Sequence, residues 1–157
     1  MFIPPDNEEA RKHLNFDTPS GYWGTCGPAA IAVLSNKSVK EIISMWDGYK
    51  GYAPLKDMQL IMKKLGYNVI RKKGAKSKQF PEPTTDAAII RIQWLQEDGT
   101  EFPWWSATQN THYVLMQKIE GEWWIFCNSN LWFKKESEEG KKYLEMGFVS
   151  SYLEVAL

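Results

Sequence analysis

One stretch constrains this chain more than any other: Trp23-Gly24-Thr25-Cys26-Gly27-Pro28-Ala29-Ala30-Ile31-Ala32-Val33-Leu34. It reads as a tight loop, a cysteine, and then a helix of small apolar residues. Thr25 suits the capping position, and Pro28 suits the first helical turn, where its missing N–H is no loss. The run from Ala29 to Leu34 has no polar face, so the helix is expected to be buried on most sides. Cys26 then sits at the positive end of a buried helix. Such an end favours a thiolate and offers unpaired backbone N–H groups to a developing anion. A cysteine so placed is a candidate nucleophile. The plain alternative is a small buried hydrophobe, the usual role of a free cysteine.

The rest of the chain divides into helices first and strands later. Pro5 to Leu14 reads as a short helix with Glu8 and Glu9 in its first turn, and His13 at its end reads as a C-terminal cation or a surface residue. The Cys26 helix ends near Asn36. Ser38-Val39-Lys40-Glu41 matches a capping box and starts a helix to Trp46. Leu55 to Leu65 is amphipathic, and Gly66 closes it. The period then becomes strand-like. Strands are expected at Tyr67–Arg71, Ala87–Ile92, Thr111–Gln117, Glu122–Asn128 and Phe148–Leu157. Gly74 to Thr85 reads as a surface connection, Asp98-Gly99 as a turn, and Lys134 to Lys142 as a loop or short exposed helix. This order predicts an α+β class, N-terminal helices packed on a C-terminal, mainly antiparallel sheet. The length of 157 residues fits one domain, 1–157.

Composition narrows the function. Positive and negative side chains balance at 19 each, which argues against a nucleic-acid surface. No run is long enough to cross a membrane, and the amino terminus lacks the pattern of a signal peptide. Two cysteines are too few for a disulfide framework, so a cytoplasmic setting is expected. Two His and two Cys at these spacings match no zinc pattern, so no metal or cofactor is expected.

With only two histidines, a Cys/His pair can be tested by elimination, and His112, at the start of a strand, is the candidate. The next strand carries Asn128. A three-residue loop, Ile119-Glu120-Gly121, would place His112 directly opposite Asn128 on one sheet face, so that the amide could orient the imidazole. Val114, Met116, Trp124 and Phe126 would share that face, beneath the Cys26 helix. A two-residue loop, Glu120-Gly121, would put Asn128 on the other face. If Asn128 faces away and no carboxylate or amide replaces it, a binding module becomes the better reading. Cys127, on the opposite face from Asn128, is expected to be inert and unpaired with Cys26.

Thr25-Cys26-Gly27-Pro28-Ala29-Ala30, then Thr111-His112-Tyr113-Val114, then Ile125-Phe126-Cys127-Asn128 resemble the papain-like cysteine peptidase superfamily, nearest its bacteriocin-processing (double-glycine) branch. The resemblance implies a papain-like fold with Cys26 as nucleophile, His112 as general base and acid, and Asn128 where that branch usually has Asp. It also implies a protein or peptide substrate. The Gln that the family usually carries a few residues before the cysteine is missing from Thr18-Pro19-Ser20-Gly21-Tyr22-Trp23. Ser20 or Tyr22 is the candidate substitute as oxyanion donor. Trp23, Trp104 and Trp105 could wall a substrate groove or simply pack. Three functions follow: a thiol hydrolase or acyl transferase acting on an amide, isopeptide or thioester bond; a non-catalytic binding or inhibitory module on the same fold; and a transglutaminase-like acyl transferase.

Overall fold

The computed structural model describes residues 5–18 and 24–156. Four helices come first: α1 (Asn7–His13), α2 (Cys26–Ser35), α3 (Val39–Ser44) and α4 (Leu55–Lys64). Each has a local cause. Asp6 caps α1 by accepting from the Glu8 and Glu9 backbone N–H groups. Ser38 and Glu41 form the expected capping box on α3. Asn36 ends α2 in the left-handed conformation, at φ 56°. Thr25 occupies the cap position of α2, but its side chain makes no capping bond. The N–H groups of that first turn are therefore not covered by the hydroxyl.

Six antiparallel strands follow: β1 (Asn68–Ser77), β2 (Ala87–Trp94), β3 (Thr111–Ile119), β4 (Glu122–Cys127), β5 (Leu131–Lys134) and β6 (Gly147–Ala156). They form one sheet in the order β1-β6-β2-β3-β4-β5. Two short helices interrupt them, α5 (Trp104–Ala107) and α6 (Glu138–Lys142). The α+β class and the helix-on-sheet layering are as the sequence predicts.

Three local expectations need correction. β1 continues to Ser77, into what reads as a surface connection. Positive φ at Ala75 and Lys76 makes an irregularity there, and the strand still pairs with β6 as far as Ser77–Val149. β5 was not expected. Leu131 enters it at φ 61°, so the turn from β4 is tight and no glycine marks it. His13 is 7% exposed rather than at the surface, and its Nδ1 lies 2.6 Å from the Lys37 carbonyl oxygen, tying α1 to the end of α2.

The sheet separates two apolar layers. On one face α2 packs on β3 and β4, with Ala29, Ile31, Val33, Tyr113, Leu115 and Phe126 in one core. On the other face Val114, Met116, Ile125 and Cys127 join Phe80, Phe133 and Leu144. The residues of β3 and β4 alternate between these layers, as a pleated strand requires.

Candidate active site

The β3–β4 hairpin sets the geometry. Ile119 pairs with Glu122, so the turn consists of Glu120 and Gly121, at φ 53° and 81°. Two consecutive positive φ values make this a type I′ turn, whose twist matches the flanking strands. The three-residue alternative does not occur. Trp124 and Phe126 lie under α2 as expected, but the one-residue difference exchanges the faces of β3 relative to them: Tyr113 and Leu115 join Phe126 under α2, while Val114 and Met116, expected there, lie with Cys127 on the other layer. Carried outward, this register sets His112 against Ser129 rather than Asn128.

The ladder between β3 and β4 ends at Leu115–Phe126, and His112 lies beyond that end. There Nε2 of His112 sits 3.0 Å from Sγ of Cys127. The same sulfur accepts from the Tyr143 hydroxyl at 3.0 Å and lies 3.1 Å from Oγ of Ser129. Oδ1 of Asn128 is 4.0 Å from that sulfur. Trp94 stacks on the imidazole at a centroid distance of 5.8 Å and an interplanar angle of 26°. The ring is thus fixed by a sulfur at one edge and an indole on one face.

Cys26 is the other neighbour of the imidazole. It begins α2, is half-buried, and lines an open pocket with His112, Tyr113 and Asn128. Burial opposes charge on His112. The hydrogen bond to Cys127, then hydrogen bonding and charge from Cys26, outweigh it and hold the imidazole well above its ordinary value. Cys127 moves the opposite way. Burial raises its thiol, but the bond and charge of His112, with the bonds from Ser129 and Tyr143, draw it well below the ordinary thiol range. The two shifts run in opposite directions and share one cause, the contact between Nε2 and Sγ, so the groups are coupled.

Two tyrosines hold the loop beside the pocket. The Tyr113 hydroxyl donates to the Ala53 carbonyl at 2.6 Å, and the Tyr49 hydroxyl donates to the Gly24 carbonyl at 2.6 Å. The first bond fastens the 47–54 loop to β3, and the second fastens it to the segment that leads into α2. Thr108 and Gln109 also line the pocket, from the 3₁₀ turn before β3.

Of the sequence candidates, Cys26, His112 and Asn128 meet around one pocket, but Asn128 is not opposite the imidazole. Ser20, Tyr22 and Trp23 lie outside the described residues. Trp104 and Trp105 belong to neither core; they stand in solvent on α5, 85% and 68% exposed, in an edge-to-face pair. Cys127 is free, as expected, but it is bonded to the imidazole rather than remote from it. The alternation of β4 hid this role, because it was counted from the wrong turn. The described residues contain no group of three or more His, Cys, Asp or Glu side chains able to hold a metal ion.

No protein-family model matches the sequence, and no curated protein matches it. Solved structures do. The peptidase domain of Streptococcus ComA, a bifunctional ABC transporter involved in quorum sensing, is similar with a TM-score of 0.53 at 16% identity, over 91% of this chain and 95% of that one. A double-glycine motif protease from an AMS/PCAT transporter, solved with its leader peptide, gives a TM-score of 0.46 at 14% identity over 88% of each chain. The protein thus has the papain-like fold, in the form found in the ComA peptidase domain.

Proposed function

We propose that the protein is a papain-like thiol hydrolase or acyl transferase acting on an amide, isopeptide or thioester bond of a protein or peptide, with Cys26 as nucleophile and His112 as general base and acid. The observation that carries this reading is the placement of Cys26 and His112 on the wall of one open pocket at the start of α2. His112 takes the Cys26 proton. The thiolate attacks the carbonyl carbon, and the leaving group departs with the proton returned by His112. Water, or an amine in the transfer case, then gives its proton to His112 and attacks the thioester. The acyl group leaves, and the Cys26 thiol is restored.

In the first turn of α2 Pro28 has no N–H and the Ala29 N–H donates to the Thr25 carbonyl, so the N–H groups of Cys26 and Gly27 are the proposed oxyanion donors. Ser20 or Tyr22 is proposed as the second donor. Asn128 is proposed as a polar group of the pocket wall, and Trp23, Trp104 and Trp105 as apolar contacts for the substrate. No cofactor enters the scheme. A cytoplasmic setting belongs to the same proposal and accords with two unpaired cysteines. Among the described residues no helix is long and apolar enough to cross a membrane.

A binding module on the same fold is the second reading. It is favoured by one observation: the group bonded to Nε2 of His112 is a thiol and not an amide or carboxylate. Incubation of wild type and Cys26→Ala with a peptide thioester, followed by intact mass, separates the readings. An acyl adduct on Cys26 that decays in water supports a hydrolase. Decay only on addition of an amine supports the transglutaminase-like alternative. No adduct on wild type supports the binding module.

A further inference from the structure

Cys127 has surroundings that the scheme above leaves unused. Its sulfur is 1% exposed, yet three polar groups converge on it: Nε2 of His112, the Tyr143 hydroxyl and Oγ of Ser129, all within 3.1 Å. A thiol packed as a hydrophobe asks for no such company, because S–H is a weak donor and sulfur a weak acceptor. The Tyr143 hydroxyl donates to the sulfur, the imidazole faces it, and Ser129, whose hydroxyl donates to Asn130 Oδ1, closes a third side, so this buried sulfur sits among polar groups that can engage it. The ring they meet is held from a second direction by Trp94, and Tyr143 lies 6.5 Å from the imidazole centroid. Tyr143 is itself packed against Phe133, Phe80 and Trp94, so the hydroxyl that reaches the sulfur is on a fixed ring.

We propose that Cys127 is the positioning residue of the Cys26–His112 pair, its sulfur holding the imidazole by Nε2 in the place expected for Asn128. The proposal rests on Cys26 as nucleophile. Held by Nε2, the ring can turn its other nitrogen to Cys26. As a thiolate, Cys127 supports the imidazolium that forms when the ring takes the Cys26 proton, without receiving a proton itself. No bond forms to Cys127, and no redox change is involved. The charges facing the imidazole are those of Cys26 on α2 and Cys127 on β4; behind the sulfur stand Tyr143 and, acting on Tyr143, Glu139. Both titration directions described above agree with this arrangement.

The test uses the full chain in four forms: wild type, Cys127→Ala, Cys127→Ser and Cys127→Asp. Two quantities are read on each. One is the rate of Cys26 alkylation by iodoacetamide against pH, located by peptide mapping. The other is the pH titration of the His112 ring by NMR, assigned by comparison with His112→Gln. In wild type the ring should titrate above the ordinary histidine value of 6.5. Cys127→Ala and Cys127→Ser should bring it down and slow Cys26 alkylation at neutral pH by roughly ten-fold, the change that goes with one pKa unit. Cys127→Asp, which returns an anion, should recover both. If Cys127→Ala and Cys127→Ser fold and leave both profiles where wild type has them, Cys127 is only core and the proposal falls. If wild-type Cys26 alkylates no faster than in the unfolded chain, the hydrolase reading falls, and the NMR titration alone then decides whether Cys127 holds the ring.

Discussion

Ile119 faces Glu122 across the β3–β4 ladder, and that pairing decides which side chain meets the imidazole. With one more residue in the turn, Asn128 would stand opposite His112 and Cys127 would point to the other layer. The turn keeps Glu120 at φ 53°, a conformation a non-glycine residue adopts at a steric cost. Glu120→Asn or Glu120→Gly should therefore stabilise the protein by about 0.5–1 kcal/mol, since these residues accept the left-handed region readily. Urea denaturation of the variants checks this, and an unchanged or lower midpoint would count against the type I′ turn.

Cys26→Ala should fold with a cost of about 1 kcal/mol, as for a small truncation at a half-buried site, and lose all acyl-adduct formation. Circular dichroism and intact mass with a peptide thioester measure the two parts. Full activity in this variant would remove Cys26 from the mechanism.

Gly27 follows Cys26 and touches the 47–54 loop. A Cβ there would stand 3.0 Å from Sδ of Met58 and 3.1 Å from Cβ of Ala53. Met58 can yield, but Ala53 is anchored by the Tyr113 bond to its carbonyl. Gly27→Ala should lower stability by about 1–3 kcal/mol through overpacking and move Cys26 relative to His112. Thermal unfolding with the Cys26 alkylation rate tests it; a variant unchanged in both would show that the loop moves aside freely.

The His112–Cys127 pair predicts a pH window. His112 is raised from 6.5, so its contribution is complete below 6.5 and lost as pH climbs through its folded value. Cys127 is lowered from 9.0, so its contribution is complete above 9.0 and lost as pH drops through its folded value. Between 6.5 and 9.0 the two slopes cancel. The difference in Tm between wild type and Cys127→Ala should be flat in that interval and shrink on both sides. A difference that keeps rising above pH 9 would contradict the coupling of His112 to Cys127.

Thiol titration of the native protein should find both cysteines free without reductant. No disulfide joins them, and the Cys127 sulfur is engaged by the His112 imidazole. A Cys26–Cys127 disulfide in fresh protein would overturn the geometry of the site.

The helices and most strands were legible in the sequence because their causes are local. Ser38 and Glu41 cap α3 within one turn of chain, and the apolar run from Ala29 to Leu34 has no place except a core. The candidate cysteine and histidine were legible for the same reason: one begins a buried helix, and the other begins a strand. The third member of the site was not. It depends on the hairpin register, and the register depends on whether Glu120 takes a left-handed conformation, which no local preference of glutamate favours. Pairing across the whole β3–β4 ladder, and the burial of Tyr113 and Leu115 rather than Val114 and Met116 under α2 beside Phe126, impose that conformation. β5 escaped notice on similar grounds, since its four residues are a strand only because β4 offers an edge to pair with. The sequence by itself determined most of the elements and the two candidate side chains. Tertiary structure decided which neighbour the imidazole meets, because a one-residue shift in a strand of period two moves every side chain to the other face.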